Sequence, residues 1–157
     1  MKILKEEVIP VKGIPVVAGF RWSVGELMDR FIKELGNKKI LGAKCSKCNY
    51  TYVPPRAWCS KCSAKMDANN LVELSGRGVL VGYTTAYVEL DGNGNFRDLE
   101  KPKAIGAIKL EDADSTIFMP LIDVEPEKLK EGITVKVVWQ EETKGQISDI
   151  KGFKPEK

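Results

Sequence analysis

Two C-x-x-C pairs, separated by ten residues, constrain the fold of this chain more than any other feature of its sequence. They are Cys45-Ser-Lys-Cys48 and Cys59-Ser-Lys-Cys62, and they account for all four cysteines of the 157 residues. Each pair can wrap one side of a tetrahedral ion. The intervening segment 50–56 is expected to form a hairpin that brings the pairs together. The sequence therefore predicts one four-cysteine metal site.

Three interpretations of this site differ in their chemistry. A closed shell of four thiolates is typical of structural zinc, which is the preferred interpretation. A rubredoxin-like iron site has the same ligands and would be redox-active. A dithiol redox pair is the third interpretation, disfavoured because two identical pairs at this spacing indicate a shared metal. Asn49 and Ser63 follow the pairs where many knuckles have glycine, and serine tolerates left-handed backbone less readily, so we expect a looser second knuckle.

The chain contains no histidine. This excludes serine–histidine and cysteine–histidine catalysis and His-ligated zinc. The N-terminal residues show no apolar stretch of signal-peptide length, and the longest apolar run, Ile14–Phe20, is too short to span a bilayer. We therefore expect a cytoplasmic protein without membrane association, in which cysteines serve as metal ligands rather than disulfides.

A proline-punctuated arm precedes one amphipathic helix. Ser23 and Glu26 are spaced as a capping box, and Gly36 is the expected C-terminal stop. Such a helix must pack its apolar stripe on the rest of the chain or on a partner. The stripe consists of Val24, Leu27, Met28, Phe31 and Leu35.

The C-terminal half is rich in short β-type runs separated by polar turns. The runs are Gly78–Leu90, Ala104–Leu110, Thr116–Ile122, Ile133–Trp139 and Gln146–Ile150. One helical turn is expected in Glu125–Lys130 because Pro126 suits a first turn. Five strands with a helical turn between the third and fourth match a small closed barrel of the OB type, and a small sandwich is the alternative. The predicted fold is mainly β, with an arm and helix (1–37), a rubredoxin-like zinc ribbon (38–70) and a five-stranded OB-fold domain (71–157).

The charge of the chain is unevenly distributed. From Leu35 to Met66 there are seven basic residues and no acidic one, so all 22 acidic residues lie elsewhere. In the simplest interpretation, some of these lysines offset the negative charge of the thiolates and the others are solvated. The functional interpretation is a platform for a polyanion: a nucleic acid, a phosphorylated small molecule or an acidic protein surface.

The combination of ribbon and barrel resembles a known family: the OB-fold, acyl-CoA-associated proteins with a rubredoxin-like zinc ribbon, long grouped as domain of unknown function thirty-five. The resemblance covers about residues 20–155 and departs from the family at Asn49 and Ser63, which replace the commoner glycine. The matching segments are Leu41-Gly-Ala-Lys-Cys-Ser-Lys-Cys48, Pro54-Pro-Arg56, Cys59-Ser-Lys-Cys62, Gly76-Arg-Gly78-Val79, Thr84-Thr85, Pro102-Lys-Ala-Ile-Gly106, Gly132-Ile-Thr-Val-Lys-Val137 and Phe153-Lys-Pro155.

The resemblance implies a non-catalytic accessory subunit of a thiolase-type or related acyl-CoA enzyme. Such a subunit docks on the enzyme, helps bind the coenzyme A thioester and has no activity alone. The alternative is a single-stranded nucleic-acid-binding protein, since OB folds and zinc ribbons are both common there. The acidic remainder of the chain makes nucleic acid the less favoured partner.

Candidate contacts follow from these hypotheses. Lys44, Arg56 and Trp58 are candidates for ligand binding, because a guanidinium can grip a phosphate and an indole can stack on adenine. For Trp58 the preferred interpretation is packing in the ribbon's small core, and Arg56 could instead pair with a surface carboxylate. Candidates for partner binding are Phe20, Trp22 and Phe31, although Phe20 and Trp22 could instead staple the start of the helix. Tyr83 and Tyr87 alternate on a predicted strand, which suits either base stacking or half-burial.

Overall fold

The structure is a computed structural model that describes residues 23–91 and 93–156. The proline-punctuated arm and the candidate partner contacts Phe20 and Trp22 lie outside the described residues. Among the helices that are described, none combines the length and apolar character needed to cross a membrane.

The single α-helix of the described residues, α1, runs from Glu26 to Leu35. Its N-cap is Gly25, with φ 82° and no side-chain cap. The Oγ of Ser23 instead accepts a hydrogen bond of 3.2 Å from the Gly25 N–H. The predicted capping box is therefore wrong, because the helix begins too late for Ser23 to reach its first turn. The expected stop is confirmed, since Gly36 follows the last helical residue.

The apolar stripe of α1 packs on this chain. Leu27, Phe31 and Leu35 are 5%, 1% and 0% exposed, whereas Val24 at the start is 49% exposed. Phe31 belongs to the main hydrophobic core. Its burial corrects the expectation that Phe31 contacts a partner, because no surface of the side chain is left for one to touch.

In the described part of the chain, eight strands form a small sheet and a closed barrel. In the small sheet, β1 lies between β2 and β3, and both pairings are antiparallel. The barrel has the strand order β4-β5-β6-β8-β7, which confirms the OB-type prediction over a sandwich. The strands are β1 (Ile40–Lys44), β2 (Thr51–Tyr52), β3 (Leu71–Leu74), β4 (Arg77–Leu90), β5 (Phe96–Leu110), β6 (Thr116–Leu121), β7 (Thr134–Trp139) and β8 (Ile150–Pro155).

Two barrel strands differ from the sequence prediction by more than one residue. The last strand spans Ile150–Pro155, whereas Gln146–Ile150 was expected; residues 147–149 form a 3₁₀ turn instead. β5 begins at Phe96, eight residues before the predicted start at Ala104. The expected helical turn is confirmed as a 3₁₀ turn at Pro126–Lys128.

The hydrophobic residues form two cores of different size. The main core joins α1 and the small sheet to the barrel interior, where Leu80, Ile108 and Phe153 are fully buried. The second core fills the cysteine-bearing segment. Its buried members are Leu27, Ala43, Cys45, Tyr52, Cys59 and Met66. The helix thus contributes side chains to both cores and holds the cysteine segment against the barrel.

Candidate metal centre

Each C-x-x-C pair occupies a knuckle, a tight turn closed by its own backbone hydrogen bonds. In the first, the Cys45 carbonyl accepts from the Asn49 N–H at 2.8 Å; in the second, the Cys59 carbonyl accepts from the Ser63 N–H at 2.9 Å. Asn49 and Ser63 have φ of 59° and 56°. The two knuckles therefore share one backbone geometry, and the second shows none of the expected looseness.

The two knuckles are held by different elements. The first lies between the antiparallel strands β1 and β2. The second lies within the isolated antiparallel bridge between Trp58 and Lys65. The expected hairpin across residues 50–56 is replaced by this arrangement, because β2 in that segment pairs back onto β1.

The knuckles bring the four thiols into one cluster. The Sγ atoms of Cys45, Cys48, Cys59 and Cys62 all lie within 4.8 Å of one another. Two pairs, Cys45 with Cys62 and Cys48 with Cys59, are 3.5 Å apart. Four sulfurs bound at ~2.3 Å around a tetrahedral ion lie roughly 3.8 Å from each other. The donor set and its spacing therefore fit one tetrahedrally coordinated metal ion.

Tyr52 is a supporting residue of this cluster that the sequence analysis missed. Its hydroxyl lies 3.3 Å from Cys59 Sγ and accepts a 3.0 Å hydrogen bond from the Ser60 N–H. The side chain is 3% exposed. The hydrogen bond from the Tyr52 hydroxyl lowers the pKa of Cys59 to about 6. A tyrosine in the segment between two cysteine pairs was the available sequence signal.

The four thiols of the cluster differ in pKa. A backbone N–H lowers the pKa of Cys62, but burial and the adjacent thiols outweigh it and raise that pKa to about 12. In the other pair the pKa of Cys45 is lowered and that of Cys48 is raised. Crowded thiols cannot all ionise without a compensating positive charge, so the cluster is suited to a cation that keeps all four as thiolates.

The basic residues around the cluster are mostly free of acidic partners. Among the described residues, Lys39 is the one cation of segment 35–66 in an ion pair, at 3.0 Å from Glu73. The guanidinium of Arg56 lies 4.9 Å from the ring centre of Tyr52. The expected pairing of Arg56 with a carboxylate is therefore not seen in the described part of the chain; the guanidinium instead lies over an aromatic ring.

Trp58 is on the surface. Its side chain is 60% exposed, so the preferred interpretation that it packs the ribbon's core is wrong. Tyr52, Met66 and the cysteines fill that core instead. A cleft of about 270 Å³ beside α1 is lined by two basic residues, Arg56 and Lys65, and by two acidic ones, Glu26 and Asp67. Lys65 pairs with Trp58 across the bridge. Lys44 is exposed on β1, and no contact joins its side chain to this cleft in the described residues.

Two family models match the chain. Residues 34–67 match the rubredoxin-like zinc ribbon domain of ChsH2, and residues 71–140 match the C-terminal OB-fold domain of ChsH2. The two matches meet near the start of β3, which pairs with the ribbon strand β1. The division into residues 1–37, 38–70 and 71–157 stays a prediction.

Three known proteins resemble this chain. A DUF35 domain-containing scaffold protein from Methanocaldococcus jannaschii is 30% identical over 103 residues, which is 64% of this chain and 67% of that protein. The solved Ltp2-ChsH2(DUF35) aldolase has a chain with a TM-score of 0.62 at 19% identity, covering 86% of this chain and 98% of that one. A DUF35 protein of unknown function from Sulfolobus solfataricus has a TM-score of 0.59 at 26% identity, covering 82% and 84%.

These matches agree with the geometry. The four-cysteine cluster lies in the segment that matches the zinc ribbon, and the closed barrel lies in the segment that matches the OB-fold domain. The chain belongs to the DUF35 family, with the zinc ribbon and OB-fold domain of ChsH2.

Proposed function

We propose that this chain is a non-catalytic accessory subunit that docks on a thiolase-type or related acyl-CoA enzyme and helps to bind the acyl-CoA. The observation that carries the proposal is the convergence of all four cysteines in one cluster, in a chain without histidine. No thiol is left for acyl transfer and no imidazole for base catalysis. The scaffold designation of the M. jannaschii relative and the fold shared with a chain of the Ltp2-ChsH2(DUF35) aldolase support a partner-dependent role.

The metal of the cluster is zinc in this proposal. Four thiolates in a closed tetrahedral shell leave no open coordination position, so the ion would have a structural role. A cytoplasmic location, where thiols stay reduced, suits such a site. Metal analysis of the purified chain should find one zinc per chain and no colour. A coloured, iron-loaded protein would instead support a rubredoxin-like centre.

The coenzyme A part of the ligand would bind on the ribbon beside Trp58. The indole of Trp58 is exposed and can stack on adenine, a contact worth ~1–3 kcal/mol for a base on an aromatic ring. Arg56 and Lys65 line the adjacent cleft and can bind phosphate groups. Lys44 extends the basic surface along β1.

Isolation of the native complex tests the subunit proposal. The tagged chain, recovered from its own cell extract, should carry a larger acyl-CoA enzyme in a fixed ratio, while the chain alone should show no turnover with acyl-CoA substrates.

Calorimetric titration of the complex with coenzyme A should show binding that Trp58→Ala weakens roughly tenfold. Phe118→Ala, which removes another exposed aromatic residue, this one from the barrel, is the matched control and should leave coenzyme A binding unchanged. A monomeric chain without an enzyme partner would contradict the proposal.

A second candidate function is single-stranded nucleic-acid binding. It is favoured by Tyr83 and Tyr87 of β4, which are 41% and 63% exposed, because OB folds stack bases on such residues. Phosphate neutralisation releases counterions, so this function requires oligonucleotide affinity that falls steeply with salt. Fluorescence anisotropy between 50 and 200 mM salt separates the two functions, and absent or salt-independent binding excludes the second.

A further inference from the structure

The two longest strands extend beyond the barrel as a hairpin tip, which comprises residues 86–91 and 93–103. Within the described residues, β5 pairs with β6 only from Ala104 to Lys109, and β4 pairs with β7 only from Arg77 to Val79. No described residue of the hairpin tip is buried. A two-stranded extension without its own core is marginally stable in water and contributes little to the barrel. Its presence therefore calls for a role outside the fold.

The outer part of the hairpin tip, residues 88–90 and 96–98, has one polar and one apolar face. Three successive cross-strand pairs set them apart: Val88 with Asp98, Glu89 with Arg97, and Leu90 with Phe96. Directly opposed residues share a face and successive pairs alternate, so the middle pair lies on one face and the outer two on the other.

The charges of the polar face are satisfied within the hairpin. The carboxylate of Glu89 forms ion pairs with both Arg97 and Lys103, the latter at 2.7 Å. This face therefore needs no partner for its charges.

The apolar face is exposed, and the two cross-strand pairs that define it contain no cation. Val88, Leu90 and Phe96 are 43%, 64% and 76% exposed. Asp98, on the same face, has no ion pair among the described residues. Clustered exposed apolar side chains of this size are typical of an interaction site.

The chemistry of the apolar face indicates which partner covers it. In a symmetric dimer the same patch meets itself. A second copy of this chain would cover the apolar side chains but bring a second Asp98 and no cation. A different protein chain that offers an apolar groove with a lysine or arginine at its rim satisfies both features. The charge of Asp98 thus favours a heterologous partner.

We infer that Val88, Leu90 and Phe96 of the hairpin tip insert into an apolar groove on the acyl-CoA enzyme, where Asp98 pairs with a basic side chain at the rim. This inference rests on the proposed function and names the docking surface for it. The inferred docking surface lies on β4 and β5, whereas the proposed coenzyme A contacts lie on the ribbon.

The test measures the affinity of the zinc-loaded full chain for the acyl-CoA enzyme isolated with it, both partners being purified, by biolayer interferometry. Replacing Leu90 and Phe96 together by serine should raise Kd at least about 30-fold, which corresponds to about 2 kcal/mol, the size of one interface hot spot. Asp98→Lys should raise Kd about tenfold and should weaken the salt dependence of association. Because it keeps the apolar face, Asp98→Lys also tests the surface if the double variant folds poorly.

The matched control is Phe118→Ser on β6. Phe118 is 71% exposed, close to the 76% of Phe96, but lies outside the hairpin tip. Its replacement should leave Kd within threefold. If the double serine variant binds as tightly as the wild-type chain, or if only Phe118→Ser weakens binding, the inference is overturned while the proposed function stands. If the wild-type chain binds no acyl-CoA enzyme, both are overturned. Self-association of the wild-type chain that the double variant abolishes would assign the surface to a second copy and overturn the heterologous partner.

Discussion

The ribbon and the barrel reach a stable structure by different physical routes. In the ribbon core, two of six buried residues are Cys45 and Cys59, which belong to the candidate metal cluster. The barrel interior is built from aliphatic and aromatic side chains such as Leu80 and Phe153, both 0% exposed. The barrel can gain its stability from apolar burial, whereas we expect the ribbon, with cysteines in its small core, to depend on a bound metal for folding. The comparison shows where each kind of perturbation should act.

The helix α1 couples the two regions. Leu27 belongs to the ribbon core, whereas Phe31 and Leu35, one and two turns later, belong to the main core. The main core holds the last two turns of α1. Loss of the ribbon structure should therefore unfold only the first turn of the helix. The predictions below test this separation.

Metal removal should have the largest effect and should be confined to the ribbon. Structural zinc contributes apparent binding free energies of ~10–16 kcal/mol in zinc-finger peptides, as large as the stability of a whole domain. A chelator, or the variant Cys59→Ser, should abolish amide-exchange protection across residues 45–66 and leave β4–β8 protected, as measured by hydrogen-exchange mass spectrometry. Ser46→Ala, which removes an exposed hydroxyl beside Cys45 in the first knuckle, is the control. Loss of protection throughout the barrel would show that the two regions fold as one unit.

Truncation of the barrel core should have the converse effect. Phe153 is fully buried, so Phe153→Ala should lower the free energy of unfolding of the barrel by about 3–5 kcal/mol through lost burial and the cavity left behind. Urea denaturation measures this change, and metal analysis should still find one ion per folded chain. Phe118→Ala, at an exposed site of the same barrel, should change stability by no more than about 0.5 kcal/mol. A Phe153→Ala variant that lost its metal in parallel would contradict separate stabilisation.

Within the ribbon, Tyr52→Phe should lower metal affinity by roughly 10–100-fold, because the hydroxyl supports the Cys59 thiolate as an outer-shell partner. The lowered pKa of Cys59, about 6, depends first on this hydroxyl. The variant should therefore release its metal at a higher pH than the wild-type chain as pH is lowered. Competition with a chromophoric chelator measures both quantities. Tyr50→Phe is the control, since the Tyr50 hydroxyl donates to the Asp114 carbonyl rather than to a cysteine; equal losses in both variants would remove the special role of Tyr52.

The parts of this molecule that the sequence predicts are those governed by local spacing. Two C-x-x-C pairs specify a metal cluster because the ligands within each pair are fixed by a four-residue turn. The number of barrel strands and their order along the chain follow from runs of β-type residues between turns. The existence of these elements was therefore predictable, while their ends were not, as the shifted start of β5 and the shifted β8 show.

The contacts that were not predicted depend on tertiary packing. Trp58 has a large aromatic side chain of the kind that usually packs in a core, but Tyr52, Met66 and the cysteines already fill the small core of the ribbon. Ser23 and Glu26 have the spacing of a capping box. The helix nevertheless begins only at Glu26, where Leu27 packs in the ribbon core. At such positions the local sequence pattern indicates which contacts a residue could make. The space available in the folded chain determines which contact forms.

On the barrel side, Asp149→Asn should loosen the loop between β7 and β8. One oxygen of the buried Asp149 carboxylate accepts hydrogen bonds of 2.7–3.0 Å from three consecutive backbone N–H groups, those of Lys144, Gly145 and Gln146. Burial raises the pKa of Asp149, but these N–H groups outweigh it and the net pKa is lowered from 3.8. The carboxylate therefore stabilises the fold above about pH 4, and this contribution is lost as pH falls through the lowered pKa. The effect should be smaller than that of Phe153→Ala, because no core side chain is lost.

Thermal unfolding from pH 7 to pH 2 checks this, since the variant should be less stable at pH 7 and converge toward the wild-type chain in acid. Ser148→Ala, an exposed neighbour in the same turn, is the control. A constant difference between variant and wild type across this pH range would exclude the carboxylate as its cause.

The smallest effect is expected at the second knuckle, where two opposing terms nearly cancel. Ser63 has φ 56°, a left-handed conformation that costs a residue with a Cβ roughly 1 kcal/mol or more. Ser63→Gly removes that strain but loosens the unfolded chain by about 0.5–1 kcal/mol. Asn49→Gly has the same entropic cost and less strain to relieve, because asparagine tolerates φ 59°. We therefore expect the metal affinity of Ser63→Gly to lie between that of the wild type and about five times that value. We also expect Ser63→Gly to bind the metal more tightly than Asn49→Gly does. If Asn49→Gly proved the tighter binder, local backbone strain would not distinguish these two knuckles, and their difference would have to come from the elements that hold them.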